Sequence, residues 1–229
     1  MSRRGEILKE MGLTPVWRLR ARMSREVSSV KEKSSVEEQG RDAEILRMGW
    51  PDLKARVAGC TDCKLRSGCT QTVFGVGDEQ AEWMLVGEAP GAEEDRIGEP
   101  FVGQAGKLLD NMLAAVALSR GRNVYIANVL KCRTPGNRNP EPDEVEKCAP
   151  YLLRQIGLIR PKLIVAMGRF AAQTLLGTDA TIASLRGKVH RYAGVPLIVT
   201  YHPAYLLRNL PDKAKAWADL LFAAKTIAN

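Results

Sequence analysis

Glu82–Asp95 reads EWMLVGEAPGAEED. A short apolar run, Trp83 to Val86, gives way at once to Gly87, Glu88, Pro90 and Gly91, and then to the acids Glu93, Glu94 and Asp95. Such a run, ending abruptly in turn formers, is the pattern of a strand buried on both faces of a parallel sheet. The acids suit the first turn of a helix, whose free N–H groups favour negative charge. The stretch therefore predicts strand, loop and helix in succession.

Three more segments repeat the strand pattern: NVYIANVL (123–130), PKLIVAMG (161–168) and VPLIVTYH (195–202). Between them AGKLLDNMLAAVAL, EPDEVEKCAPYLLRQI and RFAAQTLLG carry apolar residues at i, i+3 and i+4, and DKAKAWADLLFAAKTIAN closes the chain as a further helix. Alternating strands and helices predict an α/β fold: three layers, α/β/α, around a central, mainly parallel four-stranded sheet in a single catalytic domain. That domain is expected over residues 46–229. Residues 1–45 read as a charged, partly flexible extension, in which Ile7, Leu8, Met11, Leu13 and Trp17 form an apolar patch suited to contact with another protein.

With 229 residues, 45% of them hydrophobic and 26% charged, the chain can bury a substantial core and stay soluble as a monomer. No run approaches the roughly 18 apolar residues of a membrane span, and the first residues lack the apolar centre of a secretory signal. An intracellular, cytoplasmic and nucleoid-associated protein is expected. The formal net charge of +8 favours an anionic partner such as nucleic acid.

In an open parallel sheet, ligands gather beyond the carboxyl ends of the strands. Those ends read GEAPGAEED, ANVLKCRTPGNRNP, MGRF and YHPAYLLR. Cysteines form a second group: Cys60 and Cys63 make a C-x2-C pair, and Cys132 and Cys148 lie fifteen residues apart further on. A disulfide pair would need an oxidising compartment. Zinc would use the C-x2-C pair as half a tetrahedral site, and an iron-sulfur cluster would draw its thiolates from separated elements. Spacing favours a metal without choosing which one, and Cys69 fits a buried, weakly polar packing role.

GEAPGAEEDRIGEPFVGQAGKLLDNML, ANVLKCRTPGNRNPEPDEVEKC and HPAYLLR, in that order, resemble the family 4 uracil-DNA glycosylases, the iron-sulfur branch of their superfamily, from about Arg56 onward. The resemblance implies a monofunctional enzyme that hydrolyses uracil from DNA and leaves an abasic site. It implies a 4Fe-4S cluster on Cys60, Cys63, Cys132 and Cys148. Phe101 corresponds to the aromatic on which uracil stacks, Asn128 to the uracil-reading amide, and His202 to the histidine that stabilises developing charge on uracil O2. Glu94 matches the glutamate beside uracil C5. Ala89 stands where the best-known branch carries a water-orienting aspartate, which leaves that task to the neighbouring Glu88. Leu206 aligns with the leucine that fills the gap left by an extruded base, and Arg208, Lys131, Arg133 and Arg138 are the candidate phosphate contacts. Excision of another deaminated base, or DNA binding without catalysis, are the rival readings.

Overall fold

In a computed structural model of the chain, the structure describes Glu10 and residues 40–228. The chain divides into two units between Ala43 and Glu44, and the larger one carries the features below. The residues expected to form an apolar patch, Ile7, Leu8, Met11, Leu13 and Trp17, lie outside the described residues.

The larger unit runs α1 (Trp50–Ala58), a 3-10 turn (Lys64–Gly68), β1 (Val76–Gly77), β2 (Trp83–Gly87), α2 (Ala92–Ile97), α3 (Gln104–Ala114) and β3 (Val124–Asn128). A second 3-10 turn (Pro135–Asn137) leads to α4 (Pro142–Ile159), β4 (Leu163–Met167), α5 (Arg169–Leu176) and α6 (Ile182–Leu185). The chain then forms β5 (His190–Tyr192), β6 (Val195–Thr200), α7 (Pro203–Leu206), a third 3-10 turn (Leu210–Asp212) and α8 (Lys213–Ala228). Strand order is β1-β3-β2-β4-β6-β5. The central pairs β3–β2, β2–β4 and β4–β6 are parallel, and all four predicted strands are present. Two short antiparallel edge strands, β1 and β5, extend the expected four to six.

Strand residues alternate between faces, and that alternation builds the layers. Met84, Val86, Ile164, Ala166, Leu197 and Val199 pack with Leu152 and Ile156 of α4 and Ala172 and Leu175 of α5. Trp83, Leu85, Val124, Ile126, Val165 and Ile198 pack with Leu109 and Leu113 of α3 and Ala223 of α8. The sheet is thus covered on both sides, which explains why its strands are almost wholly apolar.

A smaller third core joins the segment before the sheet to the end of β3. Leu53 and Val57 of α1, Cys60, Leu65, Leu130, Cys132, and Cys148 and Tyr151 of α4 are buried together, with Cys63 and Cys69 at its margin. The opening of α4 is fixed by a reciprocal capping box between Glu141 and Glu144, with Pro142 at the first helical position. Arg138 grips the same Glu144 through both carboxylate oxygens, so the loop leaving β3 is tied to the helix that carries Cys148.

Candidate active site

β2, β3, β4 and β6 all end on one side of the sheet, and their following loops enclose a cavity of about 760 Å³. Among its lining residues are Glu88, Glu94, Phe101, Asn128, Arg138, His202 and Arg208, seven of the residues singled out from sequence.

Asn128 closes β3 and is buried. Its Oδ1 is the buried side-chain polar atom that, among the described residues, has no hydrogen-bond partner. Leaving such an acceptor unpaired costs about 1–3 kcal/mol, so a ligand that offers a donor there recovers the deficit. The amide sits beside Gly87, where a Cβ would come within 2.4 Å of Asn128 Oδ1 and 2.7 Å of Phe101 Cζ. The absent side chain at the end of β2 is what lets amide and ring share that corner.

Phe101 is 5% exposed and adopts φ 55°, a left-handed conformation that costs a non-glycine residue about 1–2 kcal/mol. Three contacts hold it there. Arg120 donates to the carbonyls of Pro100 (2.9 Å) and Phe101 (2.8 Å) while pairing with Asp110. The Phe101 carbonyl approaches Gly106 so closely that a Cβ there would stand 1.7 Å from it. Glu94 Oε1 accepts the N–H groups of Val102 (3.1 Å) and Gly103 (3.4 Å), just before α3 begins. Glu94 therefore serves the loop bearing Phe101 as well as facing the cavity.

His202 stacks against Phe101, with ring centres 5.3 Å apart and planes inclined by 29°. Its Nδ1 accepts the N–H of Ala204 at 3.1 Å, capping α7. In the neutral ring the proton is accordingly on Nε2. Burial pushes the His202 pKa down to about 4, with Glu94 opposing the shift and Arg208 adding to it, so the ring is uncharged at neutral pH. Burial has the opposite effect on Glu88, lifting it to about 7 against the pull of the Arg169 guanidinium. One site thus combines a neutral imidazole donor with a carboxyl poised to exchange a proton near neutrality.

Two residues assigned from sequence to DNA contact lie elsewhere. Lys131 is 2% exposed, and its ammonium donates inward to the Asn128 carbonyl (2.9 Å) and Gln155 Oε1 (2.7 Å). A cation enclosed this way cannot meet a phosphate; it steadies the end of β3 instead. Leu206 is 1% exposed on α7, which packs on α3, whereas the adjoining Leu207 is 41% exposed. Leu206 is a packing residue in this conformation, and Leu207 presents the apolar side chain. Arg133 is half-buried and donates to Asn137 Oδ1. His190, read as structural, meets the Leu185 carbonyl at 2.8 Å. Sequence reasoning missed Arg120, Arg169, Tyr201 and Tyr205; a basic or aromatic residue beside a strand end was the available signal for the last three.

The cysteines form a separate centre. All five are free thiols. Burial raises Cys63, Cys132 and Cys148, the last to about 11, and these thiols feel one another's charge, with Cys60 acting on both Cys63 and Cys148. Tyr151 Oη lies 3.4 Å from Cys60 Sγ. Among the described residues no three His, Cys, Asp or Glu side chains converge as ligands of a single metal ion. Cys60, Cys132 and Cys148 are buried in one cluster with Cys63 and Cys69 at its margin, and Cys69 adds to the rise at Cys132; thiols gathered from separated elements are the donor type of an iron-sulfur cluster.

Residues 74–221 match the family described as the uracil DNA glycosylase superfamily. The type-4 uracil-DNA glycosylase of Archaeoglobus fulgidus is 50% identical over 164 residues, 68% of this chain and 82% of that protein. The type-4 uracil-DNA glycosylase of Sulfurisphaera tokodaii is 46% identical over 165 residues, 69% and 75% of the two chains. That of Pyrobaculum aerophilum is 44% identical over 176 residues, 73% and 89%.

The geometry around Phe101 makes a direct prediction. Arg120→Ala removes two charge-assisted hydrogen bonds and is expected to lower stability by about 1.5–3 kcal/mol in urea unfolding. Unchanged stability would show that the left-handed Phe101 is held by Gly106 packing and Glu94 alone.

Proposed function

The chain belongs to the uracil DNA glycosylase superfamily, and we propose that it repairs DNA by hydrolysing the N-glycosidic bond of uracil, leaving an abasic site. The observation that carries this reading is the unpaired Asn128 Oδ1 beside Phe101 and a neutral His202. Uracil presents N3–H as donor and O4 as acceptor, and cytosine presents the reverse, so one fixed amide accepts the first base and rejects the second.

An extruded uracil would stack on Phe101 and place N3–H on Asn128 Oδ1, with the amide nitrogen toward O4. As the glycosidic bond lengthens, negative charge grows on the base, and His202 Nε2–H would donate to O2. Being neutral, the imidazole supplies this hydrogen bond without giving up its proton. Glu88, ionised, would accept a proton from the water that attacks the sugar. Glu94 would fill the space beside C5 and so bar a methyl group. Arg208 and Arg169 at the cavity, with Arg133 and Arg138 in the loop after β3, are the proposed phosphate contacts, and exposed Leu207 takes over the gap-filling role from Leu206.

Cys60, Cys63, Cys132 and Cys148 would hold a 4Fe-4S cluster. When bound it supplies a structural tie between the segment following α1, the end of β3 and α4. The charge neutralisation it brings relieves the mutual repulsion of the buried thiolates.

Three outcomes are expected. Anaerobically purified protein should release uracil from oligonucleotides, and Asn128→Ala should lower single-turnover release by at least about tenfold, the equivalent of one lost buried hydrogen bond. Equal release by that variant would remove this account of base selection. The single-turnover rate should rise with unit slope as pH increases toward about 7, as Glu88 ionises, and level off above it. His202 stays neutral throughout this range, and Glu88→Gln should flatten the limb. Finally, Cys132→Ala and Cys148→Ala should lose iron and sulfide and melt at lower temperature, whereas Cys69→Ala should retain both. Full iron content in Cys132→Ala would overturn the ligand assignment.

A further inference from the structure

The cavity is larger than one pyrimidine requires. A base of eight heavy atoms packed at the density of a protein interior occupies on the order of 100 Å³, against about 760 Å³ here. Beyond the residues assigned to uracil, the cavity is lined by Tyr201, Tyr205, Phe170, Ile182, Arg169 and Arg208. Aromatic faces interleaved with guanidinium groups are how proteins receive single-stranded nucleic acid.

Tyr201 and Tyr205 form a ready-made stack, with ring centres 5.1 Å apart and planes within 13°. The Arg186 guanidinium lies 4.8 Å from the Tyr201 ring. Arg186 is itself fixed by a two-point ion pair with buried Asp219 at 2.6 and 2.9 Å, and Thr200 donates to the same carboxylate at 2.8 Å. Tyr205 is anchored at its far edge, where its hydroxyl donates to Asp212 at 2.6 Å. The ladder therefore runs Arg186, Tyr201, Tyr205. Among the described residues no ring or guanidinium covers the second face of Tyr205.

We propose that Tyr205 is a second base subsite: a nucleobase next to the extruded uracil, on the same strand, stacks on it and extends the ladder. Arg169 and Arg208 take the phosphate that joins the two nucleotides and the one flanking it. Tyr205 is held at its edge by Asp212 and Tyr201 lies against the fixed Arg186 guanidinium before DNA arrives, so the stack is formed without ordering a loose side chain. This inference rests on the glycosylase reading above and adds to it a contact outside the uracil pocket.

The test uses single-stranded oligonucleotides with one uracil, in which the nucleoside on the 5′ or the 3′ side is replaced by a tetrahydrofuran abasic unit. For the wild-type protein, one of the two replacements should lower kcat/KM by about 5- to 150-fold, the worth of one base stacked on an aromatic ring. Tyr205→Ala should shrink that penalty to less than about twofold, and Tyr205→Phe should keep it. A binding arm needs neither catalysis nor a variant. 2-Aminopurine on the sensitive side of a 2′-fluorinated deoxyuridine, which resists hydrolysis, should be quenched when wild-type protein binds. Equal kcat/KM for intact and abasic-flanked substrates, absence of quenching on either flank, or an unchanged penalty in Tyr205→Ala would each overturn the subsite. If wild-type protein released no uracil from any substrate, the glycosylase reading would fall, and the quenching arm alone would decide whether Tyr205 receives a base.

Discussion

The site depends on how near two side chains can come to the backbone at the end of β2. A side chain at Gly87 would displace both the Asn128 amide and the Phe101 ring, the groups that would read the base and support it. Nothing else about the sheet demands glycine there, since its neighbours Val86 and Leu85 are ordinary buried strand residues. The strand therefore gives up apolar packing at its last position so that a polar group from β3 and an aromatic from the following loop can meet over it. The strained Phe101 backbone is the cost of bringing that ring back to the sheet, and Arg120, Gly106 and Glu94 together hold it there.

The titration states of the site follow from the same enclosure. Removing water lifts the carboxyl of Glu88 and lowers the imidazole of His202, so one act of burial adjusts both groups in the directions that proton transfer and neutral hydrogen-bond donation require. The helix cap made by His202 Nδ1 adds orientation. A histidine committed through one nitrogen to its own backbone has only the other to offer a substrate.

The four central strands were legible because each is a short apolar run ending in turn formers. The loops at their carboxyl ends were legible because polar residues follow a buried run there. β1 and β5 were not, being two and three residues long and only half-buried, with no apolar run to mark them. Direction of side chains was the other gap. A lysine after a strand reads as surface, yet Lys131 turns inward because Gln155, on α4, offers it an acceptor. Leu206 and Leu207 are equivalent in sequence, and only the docking of α7 decides which one faces water. Arg120 lay in a polar stretch with no periodicity, and its role appears only once the Phe101 carbonyl stands before it.

The short outer strands also govern how copies of the protein can meet one another. An edge of two or three residues offers a foreign strand too few free N–H and C=O groups to zip against. The apolar ribbons at the centre, which on their own would be prone to self-assembly into fibrils, are thereby screened from neighbouring copies.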